Sequence, residues 1–131
     1  MTILACSPDK ITIAAGYSNG ELRIFNYITK ALISTQRGHR SAVTSLAYEE
    51  GGVLLASGGA DSDIIIWDLV AGVGLCRLRG HKDAVTGIGF LQRGFQRLLV
   101  SGSKDTLLKV RIISYREKKI AYFLISFLYS Y

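Results

Sequence analysis

GHRSAVTSLAYEEGGVLLASGGADSDIIIWD, residues 38–68, is the stretch of sequence that decides the fold. It holds three short runs of apolar and β-branched residues, at positions 42–48, 53–57 and 64–68. Glycine, aspartate and serine separate these runs, which is the pattern of short antiparallel strands joined by tight turns. No run has the length or the period of an ordinary helix. The stretch therefore predicts an all-β fold.

The same pattern returns about 42 residues away in both directions. Residues 80–86 (GHKDAVT) repeat residues 38–44 (GHRSAVT), and residues 14–16 (AAG) align with residues 56–58 (ASG). An internal repeat of this length, carrying Gly-His and Trp-Asp signatures, is typical of four-stranded propeller blades. The chain therefore contains three copies of one structural unit.

Length and composition set the scale of the molecule. The chain has 131 residues, of which 49% are hydrophobic and 20% are charged, and it contains 14 glycines and one proline. These values predict one small, turn-rich globular domain. The formal charge of +6 suits an acidic partner such as RNA or an acidic protein patch, but a solvated basic surface explains it equally well.

Cysteine usage and the two ends of the chain indicate an intracellular protein. Cys6 and Cys76 are far apart, and neither belongs to a CxxC motif or has a histidine at metal-ligand spacing, so we expect reduced thiols. Pro8 and Asp9 interrupt the N-terminal apolar run, which argues against a signal peptide. The apolar run at 120–131 is too short to span a membrane.

One constellation suggests serine hydrolase chemistry, in which histidine activates serine and aspartate orients the histidine. The candidate residues are His81, Ser101 and Asp105. The same set occurs one repeat earlier as His39, Ser57 and Asp61, and catalysis does not need a triad in every structural unit. We therefore expect a buried hydrogen-bond network and no catalytic residue. Glycine-rich and aspartate-rich segments lack nucleotide and calcium motifs, so no cofactor or metal is predicted.

The ordered motifs Gly-His, Ser-Gly-x-x-Asp and Ile-x-x-Trp-Asp resemble the WD-repeat family over about residues 3–110. The resemblance implies a β-propeller in which His39, Ser57, Asp61 and Trp67 form a buried network. Arg111 occupies the register of Trp67 in the third copy, which therefore lacks its tryptophan. In the first copy, Ala15, Asn19 and Phe25 replace serine, aspartate and tryptophan.

We predict about three blades of an incomplete ring, spanning residues 1–36, 37–79 and 80–112. Residues 113–131 show no repeat spacing and are expected to form a divergent tail outside the pattern. The fourth strand of the third blade is left open, and the tail is interpreted as an edge strand, a membrane-surface patch or sequence without function. A propeller needs about four to eight blades to close, so we expect a fragment that is marginal or prone to aggregate on its own.

Basic residues gather beside the histidine and aspartate turns, which lie on one rim of a WD-repeat blade. They are Arg37, Arg40, Arg79, Lys82 and Lys104. Such a rim is a candidate surface for a phosphate backbone or for an acidic protein segment. Aromatic stacking residues are not visible beside these cations, which weakens the case for RNA.

The family resemblance implies a non-catalytic scaffold for protein assembly. Within the family, the motif order is similar to a subunit of the nucleolar small-subunit processome, which implies a nuclear and nucleolar role in ribosome biogenesis and pre-rRNA processing. The expected partners are proteins of that complex, with direct or indirect contact to pre-ribosomal or small nucleolar RNA, and no membrane. Two alternatives stay open, which are an adaptor in a ubiquitin ligase or signalling complex and a truncated isoform without function.

Overall fold

The computed structural model describes the backbone of residues 1–116 and 119–128 and the side chains of residues 1–113. All of its regular structure is β-strand. The first blade contains β1 (Ile3–Cys6), β2 (Thr12–Gly16), β3 (Glu21–Asn26) and β4 (Leu32–Arg37). The second contains β5 (Val43–Tyr48), β6 (Leu54–Gly59), β7 (Ile64–Asp68) and β8 (Val73–Leu78). The third contains β9 (Val85–Arg93), β10 (Gln96–Ser103), β11 (Leu107–Arg116) and β12 (Lys119–Leu128).

Each blade is a four-stranded antiparallel sheet in which consecutive strands are neighbours. This up-and-down order follows from the short turns, because antiparallel strands are the ones that a tight turn can join. The inner strands β1, β5 and β9 contact one another in series. The three blades therefore form an incomplete propeller that does not close into a ring.

The middle blade is buried on both faces, so β7 shows an unbroken apolar run where a half-exposed strand would alternate. We call the face of a blade that points to the following blade its front face, and the opposite one its back face. Ile65 and Trp67 lie on the back face and pack with Leu22 of the first blade. Ile64 and Ile66 lie on the front face and pack with residues of the third blade.

The third blade is larger than the repeat pattern predicts. Its strands β9 and β10 extend to a two-residue turn that begins at Gly94, whose φ of 61° favours glycine. The fourth strand, which the sequence leaves open, is β12, and it pairs with β11 from Leu107 opposite Leu128 to Arg116 opposite Lys119. Strand pairing needs only β-prone residues and no signature motif, so part of the predicted tail continues the sheet. Residues 117–118 and 129–131 lie outside the described residues.

The turns at one rim pack on one another across the blades. Gly20 has φ of 89°, and a Cβ there would collide with the carbonyl oxygen of His39 in the next blade. Only glycine fits this position without displacing the His39 turn. Within the described residues, no helix has the length and apolar character needed to cross a membrane.

Candidate interaction surface

A buried hydrogen-bond network joins two strands and two turns of the second blade. The Trp67 Nε1–H group donates to Ser57 Oγ at 2.8 Å, and Ser57 Oγ lies 2.7 Å from His39 Nε2. On the other side of the ring, His39 Nδ1 lies 3.2 Å from both carboxylate oxygens of Asp61. The four residues that the sequence grouped are therefore in contact.

The direction of these bonds follows from the protonation state of His39. Burial lowers the pKa of His39 below its ordinary 6.5, although the Asp61 carboxylate partly offsets this effect, so the ring is neutral. The carboxylate can only accept, which places the ring proton on Nδ1. Nε2 then accepts from the Ser57 hydroxyl, and Ser57 Oγ accepts from Trp67. Each polar side-chain atom of this four-residue network therefore has a partner, as buried groups require.

Asp61 also fixes the two turns of the rim. It accepts the backbone N–H of Arg40 at 2.9 Å and that of Asp63 at 3.1 Å. Burial alone would raise the pKa of Asp61, but these N–H groups and His39 outweigh it and lower the pKa. The carboxylate therefore holds the His39 turn against the hairpin turn that carries Asp61.

The third blade repeats this arrangement with one replacement. His81 Nε2 lies 2.9 Å from Ser101 Oγ, and His81 Nδ1 lies 2.9 Å from Asp105 Oδ2. Arg111 is fully buried in the register of Trp67, and its Nη1 group donates to Ser101 Oγ at 3.4 Å. The network of the third blade therefore ends in a guanidinium group where the second ends in an indole.

The pKa values of titratable groups in the third blade shift for the same physical reasons as those in the second. Burial lowers the pKa of His81, and the carboxylate of Asp105 opposes the shift. Burial by itself would raise the pKa of Asp105, but the backbone N–H groups of Lys82 and Leu107 lower it to about 2. Lys109 lies buried beside Arg111 and donates to the Gly80 carbonyl oxygen at 2.6 Å, and burial lowers its pKa, with Arg111 adding to the shift.

The first blade contains no equivalent network among its described side chains. Ala15 is buried, and Phe25 has no polar hydrogen to donate. Asn19 Oδ1 accepts the backbone N–H of Glu21 at 3.0 Å and so stabilises only its own turn. The first blade is joined to the second by apolar contacts and by the hydroxyl group of Thr2, which donates to the Val43 carbonyl oxygen.

Burial separates the two serine–histidine–aspartate sets from any substrate. Ser57 and Ser101 have no exposed surface, and the His39 side chain has none either. A nucleophile must reach its substrate, and among the described residues Ser57 Oγ makes its hydrogen bonds to His39, Trp67 and the Ile65 carbonyl oxygen. The geometry resembles a catalytic triad, but its hydrogen bonds hold together the strands and turns of a single blade.

The three arginines of the predicted basic rim each lie beside a carboxylate that is largely buried. Arg37 contacts Glu21 at 3.0 Å, and Arg40 and Arg79 approach Asp63 at 3.4 and 3.9 Å. The three arginine side chains are all more than 70% exposed, so they present their guanidinium groups to solvent. The carboxylates of Glu21 and Asp63 partly neutralise the positive charge of these arginines.

Arg77 differs from the other arginines of the rim because its side chain is partly buried and links two turns of the second blade. Its Nη1 group lies 2.7 Å from Asp63 Oδ2, and its Nη2 group donates to the Gly38 carbonyl oxygen. The exposed side chains of Lys82 and Lys104 have no carboxylate within ion-pair distance among the described side chains. These two lysines are therefore the rim cations that a phosphate or an acidic segment meets most directly.

Sequence reasoning missed the carboxylates beneath the rim and the burial of Arg111 within the network of the third blade. Asp63 is 3% exposed and contacts three arginines. No local signal marks this contact, because Arg77 comes to lie opposite Ile65, two residues after Asp63, only when β7 and β8 pair. The register of Arg111 was visible, but a charged residue is not expected in a packed core.

Comparison with known proteins agrees with this geometry. The family described as WD domain, G-beta repeat, matches residues 30–68 and 72–111. The solved structure of U3-55K is 25% identical, covers 93% of this chain with a TM-score of 0.76, and is covered over 38% of its own length. The solved structure of the RRP9 WD40 repeats is also 25% identical, covers 97% of this chain with a TM-score of 0.78, and is likewise covered over 38%. No curated protein matches the sequence.

Proposed function

The chain belongs to the WD40 family of G-beta repeat proteins, and we propose that it is a non-catalytic scaffold for assembly of the small ribosomal subunit. The observation that carries the first half of this proposal is the complete burial of Ser57 and Ser101 inside structural networks. The groups with catalytic potential are occupied in holding turns and blades together. Function then depends on the surface that these networks keep rigid.

The ribosomal setting is supported by two kinds of likeness. In its motifs, above all DIIIWD at 63–68 and GHKDA at 80–84, the sequence is similar to WD repeat-containing protein three, a tandem-propeller subunit of the nucleolar small-subunit processome. The likeness in fold to U3-55K and to the RRP9 WD40 repeats supports the same setting. The chain spans 38% of each of those solved chains, so partners and location are part of the proposal.

The surface that we assign to partner binding is the rim of His39 and His81. Its turns are fixed from below by Asp61 and Asp105 through backbone hydrogen bonds. Rigid turns lose little conformational entropy on binding. Exposed Lys82 and Lys104 favour an acidic partner, either a protein segment or the phosphate backbone of pre-ribosomal or small nucleolar RNA.

The experiment is affinity purification of the tagged chain from nucleolar extract, with identification of bound proteins and sequencing of bound RNA. We expect recovery of small-subunit assembly factors and precursor RNA. The double variant Lys82→Glu/Lys104→Glu should lose most of this recovery. Lys30→Glu/Arg93→Glu is the matched control, because Lys30 is exposed in the turn after β3, Arg93 is exposed at the far end of β9, and the double variant makes the same change of charge.

The outcomes separate the parts of the proposal. Recovery of proteins from the wild type without RNA would restrict the function to protein scaffolding. Recovery of a ubiquitin ligase or signalling complex in place of ribosomal factors would contradict the ribosomal assignment. Equal recovery by the rim variant and the Lys30→Glu/Arg93→Glu control would show that partners bind elsewhere.

A further inference from the structure

We propose that the groove between the outer strands of the first and second blades binds a short acidic peptide segment, with one large apolar side chain of that segment placed beside Trp67. The groove is separate from Lys82 and Lys104, so this inference does not rest on the ribosomal setting. It lies between the sheet of β1–β4 and the sheet of β5–β8. Neither of the blade faces that lack a neighbouring blade takes part in it.

The groove contains a recess of about 250 Å³ with an apolar floor. Ile65 and Trp67 form the floor from the back face of the second blade, and Gly74 of β8 lies beside them. Both floor side chains are only 4% exposed and belong to the same core cluster as Leu22 of the first blade, so the floor is held in place. Small-molecule sites usually measure about 300–1,000 Å³. This recess therefore has room for one side chain and not for a whole ligand.

Two glycines keep the recess open next to the indole ring. A Cβ at Gly38 would lie 3.0 Å from Cη2 of Trp67, and a Cβ at Gly74 would lie 3.3 Å from Cζ3 of the same ring. A side chain at either position would therefore take up space beside the indole. Gly74 is exposed, so this side of the recess is open to solvent. An apolar side chain of a partner fills the space and gains free energy by leaving water.

The walls of the recess are cationic. Arg37 and Arg77 line it, and none of its lining residues is acidic. The carboxylates that pair with these arginines are largely buried, since the side chains of Glu21 and Asp63 are 14% and 5% exposed, whereas that of Arg37 is 76% exposed. A partner therefore meets guanidinium groups, which favours acidic residues on both sides of the apolar side chain.

The shape of the recess favours a peptide over a single-stranded nucleic acid. A base binds by stacking on the face of an exposed aromatic ring, whereas Trp67, the aromatic residue among those that line the recess, is almost completely buried. The side chain of a leucine or a phenylalanine needs only contact with the edge of the ring. A peptide supplies that side chain and, from its neighbouring residues, the carboxylates that arginines bind.

The test is a titration of the full chain with the peptide DEDXDED, in which X is para-bromophenylalanine. Trp67 is the only tryptophan of the sequence, and bromine quenches tryptophan emission only near contact, so quenching reports occupation of the recess. We expect saturable quenching that weakens as salt is added. The unlabelled peptide DEDFDED should compete for the site. DEDSDED, which has the same charge but a serine in the centre, should compete at least about tenfold more weakly.

Two arginine variants separate the recess from the rest of the rim. Arg37→Glu should weaken binding of DEDXDED at least about tenfold, because it replaces a cation of the wall. Arg79→Glu is the matched control, since Arg79 is 73% exposed, undergoes the same change of charge and does not line the recess. It should change the affinity by less than about threefold. Both side chains are exposed, so both variants should keep the wild-type circular dichroism.

Four results would overturn the proposal. They are the absence of saturable quenching, equal competition by DEDFDED and DEDSDED, equal weakening by Arg37→Glu and Arg79→Glu, and competition by oligouridylate as strong as that of DEDFDED. The variant Lys82→Glu/Lys104→Glu should still bind the peptide within about threefold of the wild type. Loss of nucleolar partners from that variant with peptide binding retained would show that the two surfaces act separately.

Discussion

The guanidinium group of Arg111 lies 3.4 Å from the hydroxyl oxygen of Ser101, at the position where the indole of Trp67 meets Ser57 in the preceding blade. Both side chains donate a hydrogen to the serine that supports the histidine. The two differ in charge, since Arg111 brings a cation into an interface that already contains Lys109. The third blade therefore keeps the network but carries an electrostatic cost that the second blade avoids.

Replacing Arg111 by tryptophan should stabilise the protein. The indole keeps a donor for Ser101 and removes the repulsion between the guanidinium group and the Lys109 ammonium group. We expect the free energy of unfolding to rise by about 1 kcal/mol, measured by urea unfolding at fixed protein concentration. The reciprocal change, Trp67→Arg, should lower it by about 3 kcal/mol or more. A destabilised Arg111→Trp variant would show that the remaining contacts of Arg111 outweigh this repulsion.

Removing either end of the His39–Asp61 bond should weaken the second blade. His39→Ala leaves the Ser57 hydroxyl without its acceptor, and Asp61→Ala leaves backbone N–H groups of the rim without theirs. Each change should lower the free energy of unfolding by about 1–3 kcal/mol. Glu50→Ala, at an exposed position, is the control and should change it by less than about 0.5 kcal/mol. No change in the melting midpoint of either network variant would refute the role of the network.

Stability should fall in two stages as the pH is lowered. The folded-state pKa values of His39 and His81 lie below the ordinary 6.5, so the unfolded chain binds protons more readily. Stability is therefore fully present above pH 6.5 and decreases as the pH drops below it. A second loss follows as the pH falls from 3.8 towards about 2, where Asp105 becomes protonated in the folded state.

Thermal melting across this pH range checks the two stages. The double variant His39→Gln/His81→Gln should lose the first stage, because glutamine does not titrate, and should keep the second. A wild-type midpoint that rises as the pH drops just below 6.5 would mean that the histidines are charged in the folded protein.

Lysine should not replace Arg77 without a loss of stability. The two terminal nitrogens of Arg77 reach Asp63 Oδ2 and the Gly38 carbonyl oxygen together, and an ammonium group cannot hold both in that geometry. We expect Arg77→Lys to cost about 1 kcal/mol, since the side chain is partly exposed. Arg40→Lys should change stability by less than about 0.5 kcal/mol, because Arg40 is exposed and its contact with Asp63 is long. Equal effects of the two substitutions in chemical denaturation would argue against this role of Arg77.

The repeat pattern predicted the architecture because each motif marks a turn or a buried contact that the fold requires. Gly-His and Ser-Gly-x-x-Asp fix the register of one blade on the next, so three copies were enough to infer an incomplete propeller. The strand β12 was left open because an edge strand needs only β-prone residues, and such residues occur in many unrelated settings. That residues 119–128 form the fourth strand of the third blade is seen only from their pairing with β11.

The details of the candidate surface depended on contacts between residues distant in the sequence. The cations of the rim were visible as a cluster, but the carboxylates below them were not, because Asp63 meets Arg77 only after β7 and β8 have paired. Arg111 could be aligned with Trp67 by register, yet its burial depends on the packing of the second blade against the third. Charge patterns alone therefore overestimated the free positive charge of the rim.

The central claim is that the histidine, serine, aspartate and tryptophan of the second blade form one stabilising network. The most direct measurement is a double-mutant cycle of His39→Ala and Trp67→Phe in urea unfolding. Phe removes the indole donor and keeps an aromatic ring, so the two changes communicate only through Ser57. We predict a coupling energy of about 1 kcal/mol. If the two single-variant changes in the free energy of unfolding sum to the change in the double variant within about 0.3 kcal/mol, the network is not coupled and the claim is contradicted.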